Sequence, residues 1–381
     1  MAKKTKVGLK VPTQNELLRK YGDMVQIADS TQETGLWLPS KFLALNYTLG
    51  RGIPYGKILE VMGEESSGKS LIAYDFAYCT QQLGGHVIWV DAEQSWMNSW
   101  AKANGVDPSR VTIVNDTRIE YIADAVADIA LFYRSKLTHN EPILLVIDSI
   151  AALDCADNID AKMVDGKAEM GGRAKALYKY FRIRNQLFHD LGITQIYINQ
   201  LRTALNVGFG KDNSTGTGGA ALKFYASQRV AFYAGKILTV KQKGKERKAG
   251  KLVTIRVLKN KVAPPRPTLS KVPVYFNPNF HEVGFDRVFG LDDVLVENDI
   301  IEKTSAGIYK YKGKTIARGE EKFQKALEED DDLRRKLLRK ADINSIGSTR
   351  KQIESLTQNY YPVDGIEYED YSSAEEDEDE E

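Results

Sequence analysis

Cysteine is nearly absent from this chain of 381 residues, which has two, Cys79 and Cys155. They allow neither a disulfide framework nor thiolate metal spacing, and read as reduced thiols, one in a helix and one in a loop. Histidine is as scarce: His86, His139, His189 and His281 are scattered singly, as surface or packing residues are. No apolar run is long enough to cross a bilayer, and the basic start MAKKTKVGLK is not followed by an apolar segment of signal-peptide length. The expectation is a soluble cytoplasmic protein with no membrane partner. Lys and Arg are missing altogether from residues 352 to 381, which hold 12 acids, so residues 1 to 351 set 53 bases against 40 acids, a net of +13. A basic body suits a polyanionic partner, although charge runs are more often solvated faces. The tail is too charged to bury a core and is expected to be disordered, serving solubility or competing with nucleic acid for the basic surface.

With 42% hydrophobic residues the chain can bury a large core. The most informative segment is GEESSGKS at residues 63 to 70, which follows the strand-like run Lys57 to Met62 and fits the phosphate-loop pattern G-x-x-x-x-G-K-[ST]. Gly63 and Gly68 permit a tight turn, so the N–H groups of Glu64, Glu65, Ser66 and Ser67 can face a polyphosphate, and the helix that follows adds its positive end. Lys69 is placed to reach the β- and γ-phosphates, and Ser70 to supply a hydroxyl to Mg²⁺. An ordinary Gly/Ser loop is the plain alternative, weakened by the strand before the motif and the helix pattern after it. VIWVDAEQ sets Asp91 and Glu93 at a strand's carboxyl end, where open α/β sheets bind ligands and a carboxylate can activate water; ILLVID sets Asp148 at another, suited to the Mg²⁺ shell.

From about 57 to 234, apolar runs alternate with helical periodicity, which predicts a mostly parallel sheet flanked by helices. Strands are expected at 57–62, 86–91, 111–114, 143–148, 195–199 and 229–234, with helices near 69–82, 97–104, 119–135 and 172–190. Short antiparallel strands at 237–240 and 252–257 are expected around the turn-like stretch KQKGKERKAG, with 272–276 closing the sheet. Residues 1–35 hold a capping box, Thr13 and Glu16, a helix, and a short strand at Val25 and Ile27 that cannot bury a core alone. Residues 36–285 form the core, 286–350 a small α+β domain, and 351–381 the acidic tail. Between 199 and 229 a Gly-, Ser- and Thr-rich loop with interleaved bases springs from Asn199 and Gln200; it is either a plain disordered loop or a grip on single-stranded nucleic acid.

GEESSGKS, VDAEQ, IDSIAAL, the loop led by INQ, TGGAALKFYAS, VLKNKVAPP and IIEKTSAGIYKYKGKTIARG occur in the order seen in bacterial-type RecA recombinases, which the chain resembles from about residue 35 to 325. The resemblance implies a RecA-like P-loop ATPase core with an N-terminal polymerisation arm. It also implies a DNA-dependent ATPase that uses ATP and Mg²⁺, forms a helical homo-oligomeric filament on single-stranded DNA, and pairs it with a homologous duplex in recombinational repair. By that resemblance Glu93 activates water, Lys69 and Ser70 hold phosphates and metal, Asp148 supports the metal through water, Gln200 senses the γ-phosphate, and Lys259 and Lys261 reach the ATP of the adjacent subunit. Trp100 matches an aromatic against adenine, whereas Met97 replaces a base-contacting acid. DNA-binding loops fall at about 156–171, two residues longer than the family pattern, and 201–219. They bring Met170, Gly171, Lys175 (usually Arg), Arg202, Leu205, Gly218 and Gly219 to DNA. Single-strand-binding and mediator proteins are further partners the resemblance allows, and the departures suit a phage-encoded recombinase as well as a nucleoid-associated cellular one. A hexameric helicase on the same core, and a non-catalytic DNA-binding filament or mediator, are the competing functions.

Overall fold

The computed structural model describes residues 19–20, 35–160, 171–202, 215–216, 221–242, 244–264, 266, 268–341 and 345–358. The chain divides into two compact units, Met1–Gly35 and Leu36–Glu381. In the first, Arg19 and Lys20 are helical; the expected cap at Thr13 and strand at Val25 and Ile27 lie outside the described residues.

In the second unit the strands are β1 (Trp37–Leu38), β2 (Ile53–Pro54), β3 (Ile58–Gly63), β4 (His86–Asp91), β5 (Val111–Val114), β6 (Ile143–Asp148), β7 (Ile193–Arg202), β8 (Thr215–Gly216), β9 (Gln228–Gln242), β10 (Lys245–Asn260), β11 (Leu269–Tyr275), β12 (Gly284–Phe285), β13 (Glu302–Lys303), β14 (Ile308–Tyr311) and β15 (Lys314–Arg318). The main sheet runs β12-β11-β10-β9-β3-β7-β6-β4-β5, with β8 attached to β7. From β9 to β5 the neighbours are parallel, and β10, β11 and β12 extend it antiparallel.

Continuous apolar strands demand cover on both faces, and alternation along them assigns each residue a side. Val87, Trp89, Leu144 and Val146 pack with the helix Lys69–Gln82 through Ile72 and Phe76. Ile88, Val90, Ile143, Leu145 and Ile147 face the opposite layer, where helices Ile119–Arg134 and Gly172–Asp190 contribute Ile122, Val126, Leu177 and Phe181. A third cluster joins Leu43 and Tyr47 of the helix Leu43–Leu49 to Leu291, Leu295, Tyr309, Phe323 and Leu337. There the Tyr309 ring stacks on Phe323 at 4.5 Å.

The α/β class and the mostly parallel sheet agree with expectation. Two local features differ. The strands expected at 229–234 and 237–240 are one strand, β9, and most of KQKGKERKAG is ladder, paired from Lys245 opposite Gln242 to Lys248 opposite Thr239, with Gly244 at φ 72° near the reversal. Backbone pairing needs no apolar side chains when both faces are solvated, so lysines do not end the ribbon. Beyond the expected C-terminal helix, hairpin and helix Glu320–Glu329, a second helix, Asp331–Lys340, is N-capped by Asp330. A third, Ile346–Gln358, crosses position 351, where an acidic tail was expected to begin. It carries Ile346 and Ile353 onto the main core, Thr349 Oγ1 donates to the Trp37 carbonyl at 3.1 Å, and Arg350 donates to the Gln82 carbonyl at 2.7 Å. Among the described residues, no helix is long and apolar enough to cross a membrane.

Three adjacent strands are tied by one buried polar network. Glu60 on β3 accepts from Arg229 on β9 and, at 2.9 Å, from Asn199 Nδ2 on β7, with Glu60 1% and Arg229 7% exposed. Removing one member of a buried pair strands the other's charge, so Glu60→Ala is expected to lower stability by about 3–5 kcal/mol. Urea unfolding would register this as a lower midpoint; an unchanged midpoint would show that Arg229 does not depend on Glu60.

Candidate active site

Parallel strands all end at the same edge, and the order β3-β7-β6-β4 therefore collects Gly63, Gln200, Asp148 and Asp91 along one short stretch of it. Gly63 pairs across to Gln200, and Asp91 to Asp148. The loop leaving β3 is set by two glycines. At Gly63 a Cβ would come within 2.6 Å of the Phe232 carbonyl oxygen and of Ser67 Oγ, and Gly68 sits at φ 94°. Gly68 is also the N-cap of the helix Lys69–Gln82, and no side chain caps it. The first-turn N–H groups are thereby left for an anion.

Lys69, the first residue of that helix, donates to the Glu64 carbonyl at 2.5 Å across the loop. Burial lowers its ammonium pKa, opposed by the negative charges of Asp148, Glu93, Glu65 and Glu64. Ser67 Oγ is buried and without a hydrogen-bond partner. An uncapped helix start, an orphaned hydroxyl and a lysine folded onto loop carbonyl oxygen all fit a polyphosphate.

Asp148 is 4% exposed, and burial pushes its carboxyl up to about 6, with Glu93 and Asp91 raising it further and the Ser70 hydrogen bond and Lys69 opposing. Asp148 and Ser70 are thus joined, as a shared cation shell requires. Among the described residues no group of three His, Cys, Asp or Glu could hold a metal by itself, so a cation here needs phosphate oxygens as further ligands. Beside them, the Ala92 N–H donates to the Asp148 carbonyl at 3.0 Å, which ties the β4 and β6 ends together. Ser149 Oγ donates to Glu93 Oε1 and fixes that carboxylate's direction. The two acids of VDAEQ have different duties. Asp91 is buried and accepts from the Ser95 and Trp96 N–H groups, both at 2.9 Å, closing a turn, whereas Glu93 is exposed to the site.

Trp100 lies on the helix Asn98–Ala103, half-buried against the main core, and Met97 precedes that helix 58% exposed. β7 continues two residues past Gln200, to Arg202, before the second loop, and there it meets β8 as Leu201 opposite Gly216 and Arg202 opposite Thr215. Gly171, at φ 92°, starts the helix Gly172–Asp190, with Lys175 exposed in its first turn. Met170, Leu205, Gly218 and Gly219 lie outside the described residues. Lys259 and Lys261 do not join the phosphate loop of their own chain. Lys259 Nζ donates to the Lys223 and Phe224 carbonyls at 2.8 and 3.2 Å, at the end of the helix Ala221–Tyr225, and burial followed by Lys261 and Arg229 lowers its pKa. Lys261 is exposed.

Two contributors escaped the sequence reading. Ser149 follows Asp148 directly, and its adjacency to the Asp148 strand end was the available signal. Lys251 on β10 approaches the loop, its Nζ 3.4 Å from the Ser66 carbonyl oxygen, and no local pattern marks a residue so far along the chain.

A strand, a glycine-framed loop, an uncapped helix and two neighbouring strand-end carboxylates define a P-loop protein of the α/β class. Residues 13–278 match the model of the RecA N-terminal domain. The chain is similar to Protein RecA of Picosynechococcus, 32% identical over 87% of this chain and 92% of that protein. It is also similar to Protein RecA of Saccharopolyspora erythraea, 32% over 90% and 93%, and of Streptomyces coelicolor, 33% over 84% and 80%. The chain belongs to the RecA family.

The position of Asp148 has a pH signature. A carboxyl whose folded pKa of about 6 exceeds an unfolded value near ~3.9 favours folding only while protonated, so its stability contribution is full below about pH 4 and lost as pH rises through 6. In the nucleotide-free chain, Asp148→Asn is expected to raise stability at pH 7.5 by up to about 3 kcal/mol and to change little near pH 4. Thermal unfolding at the two pH values measures this, and an equal effect at both would refute it.

Proposed function

We propose that this chain is an ATP-dependent DNA recombinase that polymerises on single-stranded DNA, pairs it with a homologous duplex and exchanges strands. The observation that carries the reading is the convergence on one sheet edge of the Lys69–Ser70 loop, Asp148, Glu93 and Gln200, which stands two residues before β7 gives way to the Gly-rich loop, in a chain of the RecA family.

In this mechanism the triphosphate lies on the loop N–H groups from Glu64 to Ser70, with Lys69 leaving the Glu64 carbonyl to engage the β- and γ-phosphates. A Mg²⁺ held by Ser70 and, through water, by Asp148 would supply charge neutralisation. Glu93, aimed by Ser149, takes a proton from the water that attacks the γ-phosphorus, and ADP departs. Trp100 offers a face to the base, and Met97 offers no carboxylate to select it. Gln200, across from Gly63, relays occupancy of the phosphate site to the segment that carries Arg202, Leu205, Gly218 and Gly219. That segment, with Met170, Gly171 and Lys175, would grip single-stranded DNA mainly through its backbone, while base pairing reads homology.

Lys259 and Lys261 stand apart from the loop of their own chain and are assigned to the nucleotide of an adjacent copy, so each site is completed by polymerisation. Residues 1–35 serve as the polymerisation arm, 36–285 as the ATPase core and 286–350 as the C-terminal domain. The acidic stretch modulates access of DNA to a basic body. The protein would act in the cytoplasm of a cell or of an infected host.

A DNA pairing assay tests the core of this reading. With ATP and homologous duplex the chain should form joint molecules, Lys69→Ala should not, and unwinding of forked DNA without homology would replace the reading with a helicase. Glu93→Gln should release phosphate roughly 10²–10³-fold more slowly while still assembling on single-stranded DNA with ATP. Assignment of the two lysines across the interface makes a separate prediction. Mixed filaments of a Lys69→Ala chain and a Lys259→Ala, Lys261→Ala chain should recover part of the hydrolysis that each lacks alone, and no recovery at any ratio would place those lysines elsewhere.

A further inference from the structure

The phosphate loop carries two acids, Glu64 and Glu65, and one base, Lys69. A loop that must accept a polyanion is thus itself net negative. A second base comes from β10, two strands along the sheet from β3. Lys251 projects from β10 and its Nζ lies 3.4 Å from the Ser66 carbonyl oxygen, behind the loop residue that has left-handed geometry without being glycine, φ 55°.

The placement of Lys251 is built into the strand. The β9–β10 ladder shifts register between Lys248 and Gly250 and again between Lys251 and Val253, so Lys251 stands between two irregularities. Bulges re-aim side chains and recur beside functional sites. Next to it, Gly250 allows β11 to approach so closely that a Cβ would lie 2.3 Å from the Val274 carbonyl oxygen. Lys251 pairs opposite Ile237 on one side and Val274 on the other, which fixes its height on the sheet. Among the described residues no carboxylate forms an ion pair with it. The strands from β9 to β12 also back the rest of the loop. Phe285 of β12 lies beneath Gly68, 3.3 Å from where its Cβ would be, and the Phe232 carbonyl of β9 closes on Gly63.

We propose that Lys251 is the second cation of the phosphate site, a positioning residue that braces the loop through the Ser66 carbonyl and offsets Glu64 and Glu65, and so sets the affinity for nucleoside triphosphate. Its contact is to a loop carbonyl, so it uses none of the loop N–H donors. The inference rests on the nucleotide-binding reading of that loop.

The test is equilibrium binding of a fluorescent ATP analogue to the full chain without DNA, for the parent, Lys251→Met, Lys251→Arg and, as a control on the site itself, Lys69→Ala. Lys251→Met is expected to weaken binding roughly three- to tenfold at about 50 mM salt and less at about 500 mM, where charge is screened. Lys251→Arg should retain affinity, and adding Glu65→Gln to Lys251→Met should restore part of it. The thermal midpoint of the nucleotide-free chain should stay unchanged, and in DNA-stimulated hydrolysis KM for ATP should rise without a fall in kcat. Parent-like binding by Lys251→Met overturns the proposal. So does a loss that ignores salt, is not relieved by Glu65→Gln and tracks a lowered thermal midpoint, since that marks a merely structural lysine. Unimpaired binding by Lys69→Ala would instead sink the nucleotide reading on which the proposal stands.

Discussion

Crowding of negative charge at one edge of the sheet is the constraint around which this protein is organised. Asp148 is buried within reach of Asp91 and Glu93, and its carboxyl is held up near 6 in consequence. Such an arrangement opposes folding at neutral pH, and a protein keeps it only if something cationic relieves it. Lys69 and the Ser70 hydroxyl do so in part. The parallel order of β3, β7, β6 and β4 creates this condition, because it forces the four strand ends to be neighbours.

The antiparallel half of the sheet has a different role. β9 begins as a parallel neighbour of β3 and then continues past it as one arm of a long basic ribbon. Its root is fixed by the Glu60–Arg229–Asn199 network, and the wall behind the phosphate loop comes from Phe232 of β9 itself, Lys251 of β10 and Phe285 of β12. The nucleotide site is therefore bounded by both halves of the sheet. Lys259 lies apart from that loop, its ammonium on the carbonyls at the end of a short helix carrying Phe224, a side chain left 67% exposed.

Much of the core was legible in the order of residues. The continuous apolar runs at 86–91 and 143–148 mark strands covered on both sides, and Val87 with Trp89 and Ile88 with Val90 divide between the two faces accordingly. GEESSGKS places a turn, a helix start and a lysine by local residue types alone. The ribbon was harder. Lysine and glycine in KQKGKERKAG signal a turn by composition, yet cross-strand backbone bonds carry the ladder through it. The helix Ile346–Gln358 was missed for a similar reason, since its few apolar residues gain meaning only from the core surface beside Trp37 and Gln82 that receives them.

The sequence by itself determined the phosphate loop, the α/β class and the carboxylates that terminate strands, because glycine geometry, side-chain period and helix starts are properties of neighbouring residues. Only the tertiary structure decided how each of those carboxylates is held. Asp91 and Glu93 are two residues apart and equivalent by pattern, but Asp91 is consumed by the Ser95 and Trp96 N–H groups while Glu93 is aimed by Ser149 from another strand. It also decided that Lys251 stands behind Ser66 and that Lys259 turns away from its own loop. Those facts depend on strand order and register, which bring together residues far apart in the chain and which no local pattern encodes.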